Sequence, residues 1–513
     1  MNRRSFLKLS GAAAAAAGFP AIVRAQTSRP GTPCGVAAGD VADGRALIWS
    51  RTDRPARMFV DYATTDRFTD ARRIRGPIAF DGNDFTARAV LTDLPQGQRI
   101  FYRVLFEDLG DLKTMSEPEA GSFATPGAPE RGVTIAWCAD TVGQGWGINP
   151  DWGGLRLYET MRRAQPDVFV NLGDTIYADQ PLAAAVTLDD GSTWKNVVTE
   201  AKSKVAQTLN DYRGCHRYNY LDEHMRRFNA EVPQIVMWDD HEVLDNWYWE
   251  RRKDDDARYQ EKSVAVLAAR ARQAFFEYTP LPLVGEDPER VYRSIPLGGL
   301  AEVFALDMRT YKGANSANRQ IAMDPASAIF GPAQLAWLKR SLRESKAIWK
   351  IVAADLPLGL VVGDGPGKYE AVANGDAGAP LGRELELADL LRDLKRNNVA
   401  NVIVITADVH YCAAHHYDPS RARFTDFIPF WEFVAGPLHA GTFGPNTLDP
   451  TFGPDVKFLG IPPGMKPNRP PSDGFQFFGL MRVDPRTRAL TVELRDLAGS
   501  TLYSVELPPT YTL

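Results

Sequence analysis

Apolar and polar residues alternate in short runs between Cys34 and Phe123, at Ala46 to Trp49, Met58 to Tyr62, Thr86 to Leu91 and Arg99 to Val104. Period-two alternation broken by Gly, Asp and Pro turns predicts half-buried strands, and hence a small all-β sandwich over 34–125. Pro126, Gly127 and Pro129 then interrupt both periodicities and mark a linker. From residue 131 the texture changes. Continuous apolar, β-branched runs at 133–139, 167–172, 234–239, 302–307, 348–354, 401–407 and 430–435 alternate with amphipathic stretches. In one of these, Pro332 to Ser345, Leu335, Leu338 and Leu342 recur at helical spacing behind an N-terminal proline. Such alternation predicts an α/β layered domain over 131–513. Its tail is β-rich, with strands expected at 475–483, 489–494 and 502–507.

The 513 residues carry a net charge of -5, with 59 Lys and Arg against 64 Asp and Glu and no dense basic block in the mature region, so no specific nucleic acid partner is expected. Residues 1–26 read as an address rather than a fold. Arg3-Arg4-Ser5-Phe6-Leu7-Lys8 precedes a short Ala/Gly-rich apolar core and Val23-Arg24-Ala25, the features of a twin-arginine signal cleaved after Ala25. The mature chain is therefore expected in the periplasm or outside the cell, delivered folded by the twin-arginine export machinery. No other run approaches the ~18 apolar residues of a membrane span. Cys34, Cys138, Cys215 and Cys412 allow three disulfide pairings, among which the sequence does not choose, or stand as buried thiols.

Candidate chemistry collects at strand ends. Cys138-Ala139-Asp140, Gly173-Asp174-Thr175-Ile176-Tyr177, Asp239-Asp240-His241-Glu242 and Asp408-Val409-His410 each follow a predicted buried strand. Ligands of open α/β sheets bind beyond the carboxyl ends of strands, so four such clusters converge on one site. Taken singly, each is an ordinary turn, cap or acidic loop. Taken together, they predict a metal centre.

With Trp238 before the third cluster, the set resembles the calcineurin-like metallophosphoesterase superfamily, and more closely its PhoD-like alkaline phosphatase family. The resemblance extends to Gly35 to Asp40, Leu306 to Tyr311 and Trp431 to Pro437. It implies two mixed sheets flanked by helices, behind an Ig/fibronectin-like N-terminal domain. It also implies ferric iron (Fe3+) held by Cys138, Asp174, Tyr177 and His410, and calcium (Ca2+) held by a bridging Asp174 with Asp240 and Asp408. Asp140 stands where the superfamily has a ligand, either as a ligand itself or as an acceptor behind one. Thiolate and phenolate suit a highly charged transition metal and carboxylates a hard divalent cation. A zinc pair leans on imidazole, and of the seven His only His241 and His410 stand at strand ends. The same scarcity disfavours a purple-acid-phosphatase-like second metal. The superfamily's middle His is replaced by Ala353-Ala354-Asp355, and Asp355 is left outside the expected set.

The implied activity is metal-dependent hydrolysis of phosphomonoesters, and of phosphodiesters, by water without a covalent phosphoenzyme. His241 is the candidate proton donor to the leaving oxygen. Arg309 is a candidate clamp for the phosphate, or a structural partner of Asp307; Lys312 and Asn246 are weaker candidates. The alternatives are a dedicated phosphodiesterase or phospholipase on the same site, and a non-catalytic extracellular binding protein with a structural metal. Loops 178–230 and 310–330 are expected to wall the site, with Trp194, Tyr212, Tyr218 and Tyr220 serving either substrate or packing.

Overall fold

The protein is described by a computed structural model over residues 28–127 and 130–511, so the export signal at 1–26 lies outside the described residues. Seven strands come first: β1 (Val36–Ala42), β2 (Arg45–Arg51), β3 (Ala56–Ala63), β4 (Arg72–Ala79), β5 (Thr86–Leu91), β6 (Arg99–Asp108) and β7 (Glu119–Ala124). Strands β4-β3-β6-β7 make one sheet, which packs Met58, Val60, Tyr102 and Phe106 against Val36, Ala38, Ile48 and Ala89 of β1, β2 and β5.

The remainder alternates strands and helices. In order they are β8 (Val133–Cys138), α1 (Arg156–Arg163), β9 (Val168–Asn171), the hairpin β10 (Ala185–Thr187) and β11 (Thr193–Lys195), α2 (Leu209–Asn219), α3 (Glu223–Glu231), β12 (Gln234–Val236) and α4 (Val264–Tyr278). Then come β13 (Arg293–Leu297), β14 (Ala301–Ala305), α5 (Pro332–Glu344), β15 (Trp349–Ala353), α6 (Glu384–Arg396), β16 (Val402–Thr406), β17 (Ala413–Tyr417), β18 (Phe430–Val434) and β19 (Pro454–Leu459). Strands β20 (Phe477–Val483), β21 (Leu490–Asp496) and β22 (Thr501–Leu507) close the chain.

Two large mixed sheets result, ordered β22-β21-β20-β8-β9-β12-β1-β2-β5 and β13-β14-β15-β16-β18-β17-β19. They face each other across a core in which Ile135, Trp137 and Val170 meet Val303, Ile351, Ile405 and Phe433. The outer face of the first sheet packs Ala136, Cys138 and Phe169 against Leu157, Met161 and Phe228 of α1 and α3. That of the second packs Phe304, Val352 and Val404 against Leu335, Leu338, Leu387 and Leu391 of α5 and α6. Parallel strands covered on both faces must be apolar at nearly every position, which is why these runs are continuous rather than alternating.

The first sheet joins the N-terminal strands to the rest of the chain. Strand β1 runs parallel to β12 with Gly39 opposite Gln234, so one face of the sandwich and the large sheet are a single hydrogen-bonded surface. Gly39 permits the close approach, since a Cβ there would lie 2.1 Å from the Pro280 carbonyl oxygen. All four cysteines are free, buried thiols. Tyr212, Tyr218 and Tyr220 are buried in apolar clusters, and Trp194 is buried against Trp146, Trp152 and His439.

Candidate metal centre

Strands β8, β9 and β12 run parallel in one sheet, and β14, β15, β16 and β18 run parallel in the other. Their carboxyl ends bring together side chains that lie more than two hundred residues apart. Asp140, Asp174 and His410 form one group whose ligand atoms all lie within 4.8 Å of one another. Asp174, Asp240 and His241 form a second, and Asp239, Asp240 and Asp408 a third. Asp174 belongs to the first two and Asp240 to the last two, so the groups make one continuous centre.

Local backbone geometry aims these side chains. Asp140, Asp174, Asp408 and His410 all adopt positive φ, between 48° and 64°, which turns each residue sharply out of its strand. Left-handed backbone costs non-glycine residues energy and persists where surrounding contacts hold it, as at functional sites. Gly173, at φ 116°, lets this turn abut the next strand end: a Cβ there would lie 2.5 Å from that of Asp239. Glu242 ties the two ends together. Its carboxylate accepts the N–H groups of Asp174, Thr175 and Asp239 at 3.0, 2.7 and 2.8 Å.

Around the first group, His410 Nδ1 donates to the Gly441 carbonyl at 2.6 Å, which assigns the proton to Nδ1 and leaves the Nε2 lone pair facing the site. The Tyr177 hydroxyl lies 2.9 Å from that Nε2, and Asp140 Oδ1 lies 3.7 Å from it. Around the second, His241 stacks on Tyr177 with ring centroids 4.2 Å apart, and its Nδ1 lies 2.7 Å from Asp179 Oδ1. Burial disfavours a charged imidazole there, but Asp179, Asp240 and Asp174 outweigh it and raise the His241 pKa well above its ordinary value. Burial pushes His410 down to about 4, the neutral form that can ligate.

The carboxylates fit a cation. Asp140 is fully buried, and neither of its oxygens has a hydrogen-bond partner; Asp239 Oδ2 is likewise unpartnered. Burial first, then neighbouring carboxylates, raises Asp140, Asp174 and Asp408 well above the ordinary carboxyl range. Uncompensated buried anions of this kind are costly, and a bound cation removes the cost.

Of the residues singled out in the sequence, Asp140, Asp174, Tyr177, Asp240, His241, Asp408 and His410 come together. Cys138 does not. Alternation along β8 turns Cys138 with Ala136 toward the helices, while Ile135, Trp137 and Ala139 face between the sheets, and its Sγ donates to the Phe477 carbonyl at 3.1 Å. Asp140, two residues on, occupies the strand end instead. Arg309 reaches the centre but is fully buried, with its nitrogens spent on Asp239, Glu370 at 2.8 Å and Asp408 at 3.2 Å. It neutralises the wall of the centre and presents no free fork to a phosphate. Lys312 is buried against Glu370, 3.4 Å away, and the Asn246 N–H donates to Asp240. Asp355 is buried with both oxygens lacking hydrogen bonds, 3.5 Å from Arg309.

Asp179, Glu242 and Glu370 lie outside the set of site residues expected from the sequence. Asp179 follows Tyr177 by two residues and Glu242 ends an acidic cluster already singled out, so both signals were present. Glu370 lies in a loop with none.

Comparisons with known proteins agree with this architecture. The family model described as PhoD-like phosphatase matches residues 135–494, that for its N-terminal domain matches 13–127, and that for the twin-arginine translocation signal sequence matches 1–20. Alkaline phosphatase D of Bacillus subtilis (strain 168) is 28% identical over 346 residues, covering 66% of this chain and 54% of its own, so the chain spans about half the length of that relative. A solved structure of PhoD is similar with a TM-score of 0.69 at 21% identity, covering 94% of this chain and 90% of that one. The purple acid phosphatase PPD1 of yellow lupin (Lupinus luteus) shares the fold with a TM-score of 0.56 at 12% identity, covering 94% and 75%. No helix among the described residues is long and apolar enough to cross a membrane, and the signal directs the chain through the twin-arginine machinery to the periplasm or beyond. With its residues 135–494 matched, the chain belongs to the PhoD-like phosphatase family.

Proposed function

We propose that this exported chain is a metal-dependent phosphatase acting on phosphomonoesters and phosphodiesters, built as a β domain over 34–125 and a catalytic domain over 131–513. The observation that carries the reading is Asp140, a buried carboxylate with two unpartnered oxygens beside Asp174 and His410. Asp140, Asp174, Tyr177 and His410 would hold the first cation. Two carboxylates, a phenol and an imidazole suit ferric iron. Asp174, Asp240 and Asp408 would hold the second, and an oxygen-only set suits calcium. Bound there, a cation pair supplies an activated water and positive charge against the phosphoryl oxygens.

The chain's own residues do the rest. Asp174, which belongs to two of the candidate groups, would serve both positions. Asp179 orients His241 through Nδ1 and favours its charged form, so that Nε2 carries the proton given to the leaving oxygen. Arg309 holds Asp239, Asp408 and Glu370 in place and limits their mutual repulsion. The test is turnover of p-nitrophenyl phosphate and bis-p-nitrophenyl phosphate by the mature protein, with and without a chelator. Hydrolysis that chelation abolishes and metal restores is expected, and the ratio of the two rates ranks monoesterase against diesterase. Full activity in protein stripped of metal overturns the proposal.

A further inference from the structure

Asp239, Asp240 and Asp408 bring their oxygens within 4.8 Å of one another. Like charges so close, and shielded from water, repel, so other groups must hold them before a cation arrives. Two groups do so. Arg309 bonds Asp239 and Asp408, and the main-chain N–H of Asn246 bonds Asp240.

Both holders lead back to one hairpin. Residues 362–370 fold back about Gly365-Pro366-Gly367, with the Asp364 N–H donating to the Lys368 carbonyl at 2.9 Å and the Glu370 N–H to the Val362 carbonyl at 3.0 Å. Gly365 and Gly367 take φ of 83° and 67°, the left-handed backbone that the reversal uses. One arm ends on Glu370, which accepts from Arg309 at 2.8 Å. The other carries Asp364. Its Oδ1 accepts the side-chain amide of Asn246 at 3.2 Å, and its Oδ2 accepts that of Asn315 at 2.9 Å. Asn315 closes the ring, since the same Nδ2 also donates to the Asn246 carbonyl at 3.1 Å. Its Oδ1 accepts from the buried Arg383 at 3.1 Å, which fixes which way the amide points.

Asn246 needs this support. It stands at φ 57°, a left-handed turn that costs a residue other than glycine energy, and from that turn its N–H reaches Asp240. Asp364 and Asn315 grip its amide and its carbonyl, and so hold the turn.

We propose that Asp364 is a positioning residue for the second cation: through Asn246 it keeps the Asp240 carboxylate where it can ligate, so that the hairpin at 362–370 sets the affinity of that position for calcium. The first position, built on Asp140, Tyr177 and His410, does not depend on it. The inference rests on the two-cation reading and deepens it.

The experiment titrates calcium chloride calorimetrically into iron-loaded protein that EGTA has freed of calcium. D364A is expected to weaken binding about tenfold, the usual effect of removing a group that orients a ligand, while iron content and the visible spectrum stay as in the wild type. D364N keeps one accepting oxygen and should fall between. N246G retains the main-chain N–H and tolerates the left-handed turn, and in that background D364A should add little, because the link is already cut. Calcium binding unmoved in D364A overturns the proposal. So does loss of iron in step with calcium, which marks general damage to the fold, and so do D364A and N246G effects that add in full, which mean that Asp364 acts by another route. Wild-type protein that binds no calcium sinks the reading of the second position itself, and the proposal with it.

Discussion

Asp140 and Tyr177 show how single side chains set the chemistry. A fully buried carboxylate with no donor on either oxygen is among the most expensive groups a fold can carry, and a phenol held 2.9 Å from a fixed imidazole lone pair is ready to share a cation with it. Tyr177→Phe is expected to retain the fold while losing the visible charge-transfer band of an iron–phenolate bond; an unchanged spectrum means that Tyr177 is not a ligand. Asp174→Asn is expected to lower metal content by elemental analysis and kcat/KM on the order of 10³-fold, because this side chain belongs to two of the three groups of candidate ligands. Away from the centre, His216 is buried against Tyr278 and its pKa is pushed down to about 3, by burial first and Arg217 second. Between its ordinary value of 6.5 and that value, the unfolded chain binds a proton that the folded chain does not. Its contribution to stability is therefore complete above pH 6.5, falls by about 1.4 kcal/mol per pH unit as the pH drops, and levels off near 3. Urea unfolding at pH 7 and pH 5 measures this dependence, and His216→Phe should flatten it.

At the scale of elements, the strand ends matter more than the strands. Strands β9 and β12 would fray at their carboxyl ends were it not for Glu242, whose carboxylate gathers N–H groups from Asp174, Thr175 and Asp239. Glu242→Gln replaces one accepting oxygen by an amide and strands buried N–H donors. It is expected to cost about 2–4 kcal/mol and to reduce metal affinity without removing any ligand. A variant as stable and as metal-loaded as wild type shows that the turn is held by its backbone alone. The strands themselves were legible in the sequence: the run at 133–139 is the strand Val133–Cys138, and that at 401–407 is Val402–Thr406. Cys138 was not, because which side of a strand faces the other sheet and which faces the helices depends on how the layers stack. Both faces of β8 are apolar, so the pattern carries no parity.

For the whole molecule, three of the N-terminal strands form one end of the large nine-stranded sheet. Strands β1, β2 and β5 extend it beyond β12, and Arg293 of β13 forms an ion pair with Asp40. Calorimetry of the intact protein is expected to show one cooperative transition covering both parts. A chain lacking residues 28–127 would expose the β12 edge and is expected to be insoluble or to unfold at a markedly lower temperature. Two independent transitions, or a soluble truncated chain with native circular dichroism, would show that the two parts fold separately.

The sequence by itself determined the buried parallel strands that lead into the centre, the export address and the four clusters that follow those strands. All of these are local: periodicity, turn residues and short motifs are written within a few positions of one another. Tertiary structure alone decided which clustered side chains meet. It placed Asp140 rather than Cys138 beside Asp174 and His410, buried Arg309 among Asp239, Asp408 and Glu370, and set Asp179 behind His241. Those outcomes depend on the packing of two sheets whose strands are separated by hundreds of residues, and on charges that become costly only once water is excluded.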